Sequence, residues 1–354
     1  MKKQIDKINI YRLVLAVFIS VIAIFLIIFC VSKNPSQALK SFYLGPFSSL
    51  RRIGNIIEVS IPLMFSSLAT VFLFRTGLFN LSAEGAFFIG TVVATVIAQV
   101  FNSWGIFALV LAILGAMVVA AGVTTLPGAL KVKINANIIV TSLMMNFVCL
   151  NLGLFVIHSF FLDNSLNTPY SHKFGESFKL LNILPGTRVH IGLVVAIAVI
   201  IMATLLLNHT AFGLRCKIIG SNSKFARYAG LSSDKIILQT QLIGGAIAGL
   251  GGAIELFGMY NRFQYGGLTN HGWEGIPIAI IASHNPKYLP LATLFFAYLK
   301  IGADIMARES DVPFEIVQVI QAIMIVIISA QALLKGARKR RLLRQINQGE
   351  NQNA

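Results

Sequence analysis

The chain has 354 residues, of which 56% are hydrophobic and only 12% are charged. An average soluble domain has about twice that share of charged residues, so the composition excludes an ordinary soluble protein and indicates an integral membrane protein. The net charge of +16 resides in short segments beside apolar runs, with no polar domain to read a nucleic acid. We therefore attribute it to membrane orientation and expect no nucleic-acid partner.

Eight apolar runs are candidates for helices that cross a hydrocarbon core of about 30 Å. They are Leu13–Val31, Ile53–Phe74, Gly85–Phe101, Gly105–Leu126, Ile134–Phe161, Val189–Leu207, Ile236–Ile254 and Ile316–Leu334. Between Gly275 and Lys300 another apolar region is divided by Asn285-Pro286-Lys287. We predict two half-length or tilted helices there, meeting at the proline-marked turn. The predicted fold is an all-α membrane protein of about ten transmembrane helices, forming a single polytopic domain over residues 1–354.

Basic residues orient this layout, because lysine and arginine concentrate in the cytoplasmic segments of membrane proteins. With both termini in the cytoplasm, the inner segments hold about twice as many basic residues as the outer ones. Residues 209–236 and the basic tail 335–354 then lie in the cytoplasm. The same layout places Ser171 outside and Cys216 inside.

The first interior feature is a glycine-interrupted stretch between residues 75 and 90. Ser82 through Glu84 can begin a new helix, and Glu84 in its first turn is stabilised by the helix dipole. A break at membrane depth is tolerated only where it is buried in protein or lines a cavity. The sequence leaves both alternatives open: a wall of a substrate pathway, or a helix cap that contacts no substrate.

Polar residues inside other spans pose the same question. Asn146 and Asn151 lie in the fifth span, where they either join helices or line a route. The stretch Gly244–Gly252 predicts close helix packing through small residues. Glu255 follows it near the end of a span, where a carboxylate is costly unless it is paired or hydrated.

The long basic stretch Gly213–Gly230, which lies between two spans, is the most informative feature. Residues 222–230 predict a short helix, with Asn222 or Ser223 as N-cap and Gly230 as a left-handed C-cap. Its predicted apolar side consists of Phe225, Ala226 and Tyr228. A polar loop that forms its own folded unit suggests a docking surface; the alternative is a solvated basic loop that only sets topology.

Another interior feature is the glycine-rich segment Tyr265–Ala279. We place it outside the membrane, where it runs into the first half-helix. Short broken helices near the bilayer midplane are common substrate sites in transporters. Trp273 can stack on a ring, and Glu274 can accept hydrogen bonds from hydroxyls or ring nitrogens. The alternative is that Trp273 merely anchors the helix end at the membrane interface.

No catalytic motif accompanies these features. The chain has no GxxxxGK[ST] phosphate loop, no GxSxG elbow and no HExxH pair. Its six histidines are scattered, and its three cysteines form no metal-binding cluster. We therefore expect no enzyme activity, metal or cofactor on this chain, and energy for uphill transport from a partner or an ion gradient.

Three blocks resemble the membrane permeases of bacterial ATP-binding-cassette (ABC) importers for simple sugars and nucleosides. They are Gly77-Leu-Phe-Asn-Leu-Ser-Ala-Glu-Gly85, the stretch Gly213–Gly230 ending in Ala226-Arg-Tyr-Ala-Gly230, and Gly272-Trp-Glu-Gly-Ile-Pro-Ile-Ala279. The likeness extends from about Ile53 to Leu334. Leu81-Ser82 and Glu274 depart from the nucleoside branch, which leaves simple sugars and riboflavin as alternative substrates.

The resemblance implies a permease subunit in the bacterial plasma (inner) membrane that moves nucleosides by alternating access. Its implied partners are ABC ATPase subunits that bind the ATP, a second permease that is identical or related, and an extracellular or periplasmic substrate-binding protein. The implied ATPase-coupling residues are Arg215, Lys217, Asn222, Lys224, Phe225, Ala226, Arg227, Tyr228 and Gly230. The candidate pathway residues are Asn80, Glu84, Asn146, Glu255, Trp273 and Glu274.

An ion-coupled secondary transporter is the rival class. It would need acidic residues in mid-span and detectable inverted repeats. Only Glu58, Glu84, Glu255 and Asp304 approach the first requirement, and the chain shows no convincing internal repeat.

Overall fold

The structure is a computed structural model that describes residues 32–313, except 164, 166 and 167, and the isolated positions 25, 29, 319, 322 and 323. The predicted first span, the predicted last span and the basic tail therefore lie essentially outside the described residues. The chain divides into two compact units, residues 53–297 and residues 1–52 with 298–354.

The described residues are helical and contain no β-strand, only two isolated bridges. The α-helices in chain order are α1 (Pro35–Tyr43), α2 (Leu50–Phe74), α3 (Ala83–Val100), α4 (Ile106–Ile134), α5 (Ile138–Phe160), α6 (Gly192–His209), α7 (Ala211–Ser221), α8 (Ser223–Tyr228), α9 (Ser233–Met259), α10 (His271–Ile281) and α11 (Leu289–Glu309). Among them, seven are long and apolar enough to cross a membrane: α2, α3, α4, α5, α6, α9 and the helix that contains α11.

The six predicted spans that lie within the described residues agree closely with α2, α3, α4, α5, α6 and α9, because each is a long apolar run bounded by polar or glycine residues. One prediction is wrong: the second piece of the divided region is not half-length. Helix α11 continues through Lys300 to Glu309, since one lysine among good helix formers does not end a helix. The first piece is short as predicted, and α10 spans only 11 residues.

Helix α9 packs against α4 and α3 at the centre of the 53–297 unit. The side of α4 that faces α9 consists of small buried residues. Ala116, Ala120 and Thr124 lie against Gly245 and Gly249 of α9, and Ala108 and Ala112 pack in a cluster with Ala253. A Cβ on Gly249 would collide with the carbonyl oxygen of Ala116, so this close approach requires glycine. The predicted small-residue packing face is thus observed.

Helices α4, α5 and α6 expose many large apolar side chains, such as Val118, Phe147 and Met202. Helix α2, by contrast, is buried along most of its length. In a bilayer the exposed apolar surfaces face lipid, and α2 and α9 form the interior.

The segment between α5 and α6 covers one end of this bundle. Its Ser171 is fully buried, and it donates its backbone N–H to the carbonyl of Phe263 while its hydroxyl accepts from the Phe263 N–H at 2.9 Å. Ser171, which the predicted layout places outside the membrane, is therefore not accessible to solvent.

The other unit contains α1, which the apolar pattern does not predict, and the end of α11. Tyr298 donates its hydroxyl to the backbone carbonyl of Tyr43 at 3.0 Å, and Arg52 forms an ion pair with Glu309. The Asp311 carboxylate accepts a hydrogen bond from the Ser32 hydroxyl at 2.6 Å. These contacts join two parts of the chain that are far apart in sequence.

Candidate functional site

Half-helix α10 begins in the interior of the 53–297 unit. The backbone carbonyl of His271 accepts a hydrogen bond from the Ser66 hydroxyl. Ser66 lies about 12 Å along α2 from its end at Phe74, at about 1.5 Å per residue. The glycine-rich segment therefore enters α10 inside the bundle. Phe263, just before this segment, packs against Phe88 of α3 at a ring-centroid distance of 6.0 Å.

Glu84 supplies the cap of this buried helix start. One carboxylate oxygen accepts from the Asn270 N–H at 2.6 Å and the Thr269 hydroxyl at 3.1 Å, and the other accepts from the Gly272 N–H at 2.6 Å. Glu84 is 1% exposed. A negative charge at a helix N-terminus is favourable, because the free N–H groups and the dipole both attract it. Asn270, the N-cap residue, makes no side-chain cap bond of its own.

Asn80 holds the connection between α2 and α3, residues 75–82, in place. Its amide nitrogen donates to the carbonyl of Thr124 at 2.9 Å and to the side chain of Gln241 at 2.7 Å. Its amide oxygen accepts from both the backbone and the hydroxyl of Ser82. Every hydrogen-bonding atom of this buried amide therefore has a partner within the protein.

Asn146 of α5 supports the same connection from another direction. Its side-chain oxygen accepts from the Gly85 N–H at 2.8 Å, and its nitrogen donates to the carbonyl of Leu81 at 3.0 Å. Asn146 is 2% exposed. These bonds satisfy backbone groups that the break leaves without helical partners, which a buried break requires.

Glu255 and Glu274 contact opposite nitrogens of one histidine. The Nε2 atom of His271 lies 3.0 Å from the Glu255 carboxylate, and its Nδ1 atom lies 3.6 Å from that of Glu274. Glu255 is almost completely buried, so its cost in an apolar interior is offset by this pairing. His190 lies nearby and is fully buried; burial lowers the pKa of its imidazole to about 4.

Trp273 is the most exposed of the six pathway candidates. It is 38% exposed, and the Glu274 side chain is 15% exposed. The structure thus brings four of the candidates together around the start of α10: Glu84, Glu255, Trp273 and Glu274. Asn80 and Asn146 lie behind them and hold the α2–α3 connection.

The basic segment, Thr210–Gly230, folds into two helices. Asn222 caps α8 by accepting from the Phe225 N–H at 3.0 Å. Gly230 has φ +72°, and the Leu231 N–H donates to the carbonyl of Ala226 at 3.0 Å. This geometry is a Schellman-type ending, as predicted from the asparagine and the glycine. The sequence did not single out α7 as a separate helix.

The predicted apolar side of α8 is only partly correct. Ala226 is fully buried against Cys216, Ile219 and Ile236. Phe225 and Tyr228, however, are 58% and 92% exposed. The two aromatic residues are three positions apart and share a helix face, whereas Ala226 occupies the opposite one.

Cys216 of α7 is fully buried. Burial raises the pKa of its thiol to about 11, and the nearby Arg75 opposes that shift only in part. A thiol in this state is almost entirely protonated at neutral pH, so it is a poor nucleophile. Cys216 is therefore a poor target for thiol reagents, although it lies in the polar segment that the predicted layout places in the cytoplasm.

Several residues of the site were not identified from sequence. Gln241 and Thr124 tie α9, α4 and the α2–α3 connection together, since Thr124 also donates to the Gln241 backbone carbonyl at 2.8 Å. A glutamine and a threonine inside apolar spans were the available signal. Arg75 donates to the carbonyl of His284 at 3.2 Å, and no local pattern indicated that partner.

No group of three or more His, Cys, Asp or Glu side chains able to hold a metal ion occurs in the described part of the chain.

Residues 52–329 match the family described as branched-chain amino acid transport system / permease component. The chain is 29% identical over 327 residues to the guanosine ABC transporter permease protein NupP of Bacillus subtilis, an alignment that covers 91% of this chain and 93% of the relative. It is 30% identical to the glucose ABC transporter permease protein TsgB13 of Haloferax volcanii, with 85% and 82% covered. The nucleoside ABC transporter permease protein NupB of Lactococcus lactis is 27% identical, with 85% of each chain covered. The family match covers most of the chain and agrees with its membrane-spanning helices, so the chain belongs to the branched-chain amino acid transport system / permease component family and is a multi-pass membrane permease.

Proposed function

We propose that this permease is the translocation subunit of an ATP-driven importer for nucleosides. Family membership supports transport, and two of the three relatives described above carry names that specify guanosine or nucleosides. The resemblance of Gly77–Gly85 to the nucleoside branch favours the same substrate class. Glucose, named for the third relative, is the competing substrate.

The exposed aromatic face of α8 carries the proposal of ATP coupling. Phe225 and Tyr228 project from a helix that is capped at both ends and anchored through Ala226. Exposed aromatic residues on a rigid support are typical anchors of a protein interface. Lys224 and Arg227 are also exposed and add positive charge around them. This face is the docking surface of the ATPase, which binds and hydrolyses the ATP.

Trp273 and Glu274 are the side chains that contact substrate in this proposal. An exposed indole can stack on a purine ring, and a carboxylate can accept hydrogen bonds from ribose hydroxyls. The polar groups of Glu84, Asn80 and Asn146 are occupied by protein partners, so these residues shape the site without binding substrate. Glu255 acts through His271.

The complete assembly contains a second permease, identical or related, ATPase subunits and a substrate-binding protein. Both termini lie in the cytoplasm and the chain makes about ten crossings of the plasma (inner) membrane, with the basic segment on the cytoplasmic side. ATP binding and hydrolysis alternate the permease between outward-open and inward-open states.

Uptake by reconstituted vesicles tests this proposal. The permease is purified with the ATPase and binding protein encoded beside it, and uptake of labelled guanosine, glucose and riboflavin is measured with and without internal ATP. We expect ATP-dependent guanosine uptake that exceeds that of the other two. Preferential uptake of glucose or riboflavin would identify that compound as the substrate in place of a nucleoside. Uptake driven by an ion gradient without ATP would show that the protein is not part of an ATP-driven importer.

The docking surface has its own test. Replacing both Phe225 and Tyr228 with alanine is expected to lower co-purification of the ATPase at least tenfold, because hot-spot aromatic residues typically contribute about 2 kcal/mol or more each. The matched control is Leu181→Ala, which removes a side chain that is 75% exposed outside the basic segment. Equal ATPase recovery from the double variant and the control would exclude this surface.

A further inference from the structure

The α2–α3 connection and the first turn of α3 together contact both ends of half-helix α10. At one end lies Glu84, the second residue of α3, whose carboxylate caps the N-terminus of α10 through Asn270 and Gly272. At the other end lies Arg75, the first residue after α2, which donates to the carbonyl of His284. Residues 75–84 therefore contact the chain at both ends of α10.

The charges at the two ends match the dipole of α10. A helix carries partial positive charge at its N-terminus and partial negative charge at its C-terminus. Glu84 is the anion at the first, and Arg75 is the cation at the second. The chain just after α10 is tightly turned, since Ser283 and His284 both have positive φ and the His284 N–H donates to the carbonyl of Ala279 at 2.8 Å. Arg75 thus binds an ordered helix ending.

Backbone packing reinforces the contact at Glu84. A Cβ on Gly272 would collide with the backbone of Glu84. The first turn of α10 therefore lies directly against the first turn of α3, with no side chain between the two backbones.

The basic segment lies against the same connection. A Cβ on Gly220 of α7 would come within 2.5 Å of the carbonyl oxygen of Arg75, and one on Gly77 would come within 3.1 Å of the carbonyl oxygen of Gly220. Two backbones meet here at a distance that only glycine permits. Gly77 has φ +77°, so it also requires glycine for its conformation.

We propose that Arg75 and Glu84 are positioning residues that hold the two ends of α10, and that the Gly220 contact makes α10 move together with the basic segment. The inference rests on the proposed function, in which the basic segment docks the ATPase. It assigns the α2–α3 connection as the link between that docking surface and the substrate contacts Trp273 and Glu274. ATP-driven movement then reaches the substrate site through backbone contacts.

The test variant is Gly220→Ala in the reconstituted complex. Gly220 lies within α7, where alanine favours the helix, so the added methyl group acts by separating α7 from Arg75. The matched control is Gly122→Ala, at a position in α4 where a Cβ would meet nothing within 4 Å. Guanosine uptake, ATP hydrolysis and ATPase recovery are measured on the same preparations.

We expect Gly220→Ala to recover normal ATPase subunits but to lower guanosine uptake per ATP hydrolysed at least tenfold. Arg75→Ala is expected to do the same, and Arg75→Lys, which keeps a donor for the His284 carbonyl, to restore the ratio to within about twofold. Ratios within twofold of the control for both Gly220→Ala and Arg75→Ala would overturn the inference while leaving the proposed function intact. Failure of the wild-type complex to couple ATP to uptake would instead overturn the proposed function.

A labelling measurement provides a readout that does not depend on uptake and still decides the question if Gly220→Ala folds poorly. The variant Trp273→Cys is labelled with a maleimide before and after ATP is added with vanadate. We expect the labelling rate to change at least threefold on addition of ATP, and this change to be lost when Arg75→Ala is also present and regained with Arg75→Lys. An unchanged ATP response in the Arg75→Ala background would contradict the link.

Discussion

The Glu84→Gln substitution tests the cap of half-helix α10. Glutamine has nearly the same shape as glutamate, but it replaces one acceptor oxygen with an NH2 group and removes the negative charge. In the folded chain one oxygen serves the Asn270 N–H and the Thr269 hydroxyl, and the other serves the Gly272 N–H. One orientation of the amide keeps the hydrogen bonds to Asn270 and Thr269, and the flipped orientation keeps the one to Gly272. In either orientation the NH2 group faces a donor that has lost its acceptor.

The expected cost follows from these contacts. Hydrogen bonds to a charged group contribute about 1.5–3 kcal/mol each, against about 0.5–1.5 kcal/mol for neutral ones, and a buried donor left without an acceptor costs about 1–3 kcal/mol. Losing the favourable charge at the helix start adds about 0.3–1 kcal/mol. Because these terms overlap, we expect Glu84→Gln to lower the free energy of unfolding by about 3 kcal/mol.

Unfolding by titration with dodecyl sulfate in mixed micelles, followed by tryptophan fluorescence, measures this loss. Glu176→Gln is the matched control, because Glu176 is exposed and its substitution removes the same charge without removing a buried acceptor. A Glu84→Gln free energy within about 0.5 kcal/mol of the control would refute the capping argument, since the lost buried hydrogen bonds alone exceed that amount.

Two further predictions concern titration and thiol reactivity. Burial lowers the pKa of His190 from 6.5 to about 4. Between these two pH values the unfolded chain binds more protons than the folded one. The contribution of the buried neutral imidazole to the free energy of unfolding is therefore complete above pH 6.5 and is lost as the pH falls toward 4. By pH 5.5 this loss reaches about 1.4 kcal/mol. The variant His190→Asn keeps an acceptor near the Gly192 N–H but does not titrate, so we expect its melting temperature to depend less on pH between 7 and 5.5. An unchanged pH dependence would contradict the burial of a neutral imidazole. Native Cys216, buried and with its pKa raised to about 11, is expected to stay unmodified by maleimide at pH 7 even in permeabilised cells. A cysteine at the exposed Ser223 position is expected to react only after permeabilisation, and peptide mapping that finds Ser223→Cys labelled from outside would reverse the proposed orientation.

The sequence alone determined the parts of this protein that depend on local pattern. Apolar runs predicted the spans, because a helix surrounded by lipid needs an unbroken apolar surface. The cap of α8 was also predictable, since Asn222 and Gly230 act on backbone groups within a few residues of themselves. The glycine run in α9 predicted close packing for the same reason, although its partner on α4 was not identified.

Tertiary structure decided the partners of the polar residues. The N–H groups that Glu84 caps belong to a helix start nearly 190 residues away in the chain, and Arg75 binds a carbonyl more than 200 residues away. Such contacts leave no periodic trace, because either residue alone also fits a cytoplasmic loop or an ordinary first helical turn. Burial of Ser171 and Cys216 likewise depends on which segment folds over them. A local pattern shows that a carboxylate at a helix break needs donors, but only the packing of distant helices decides which donors it receives.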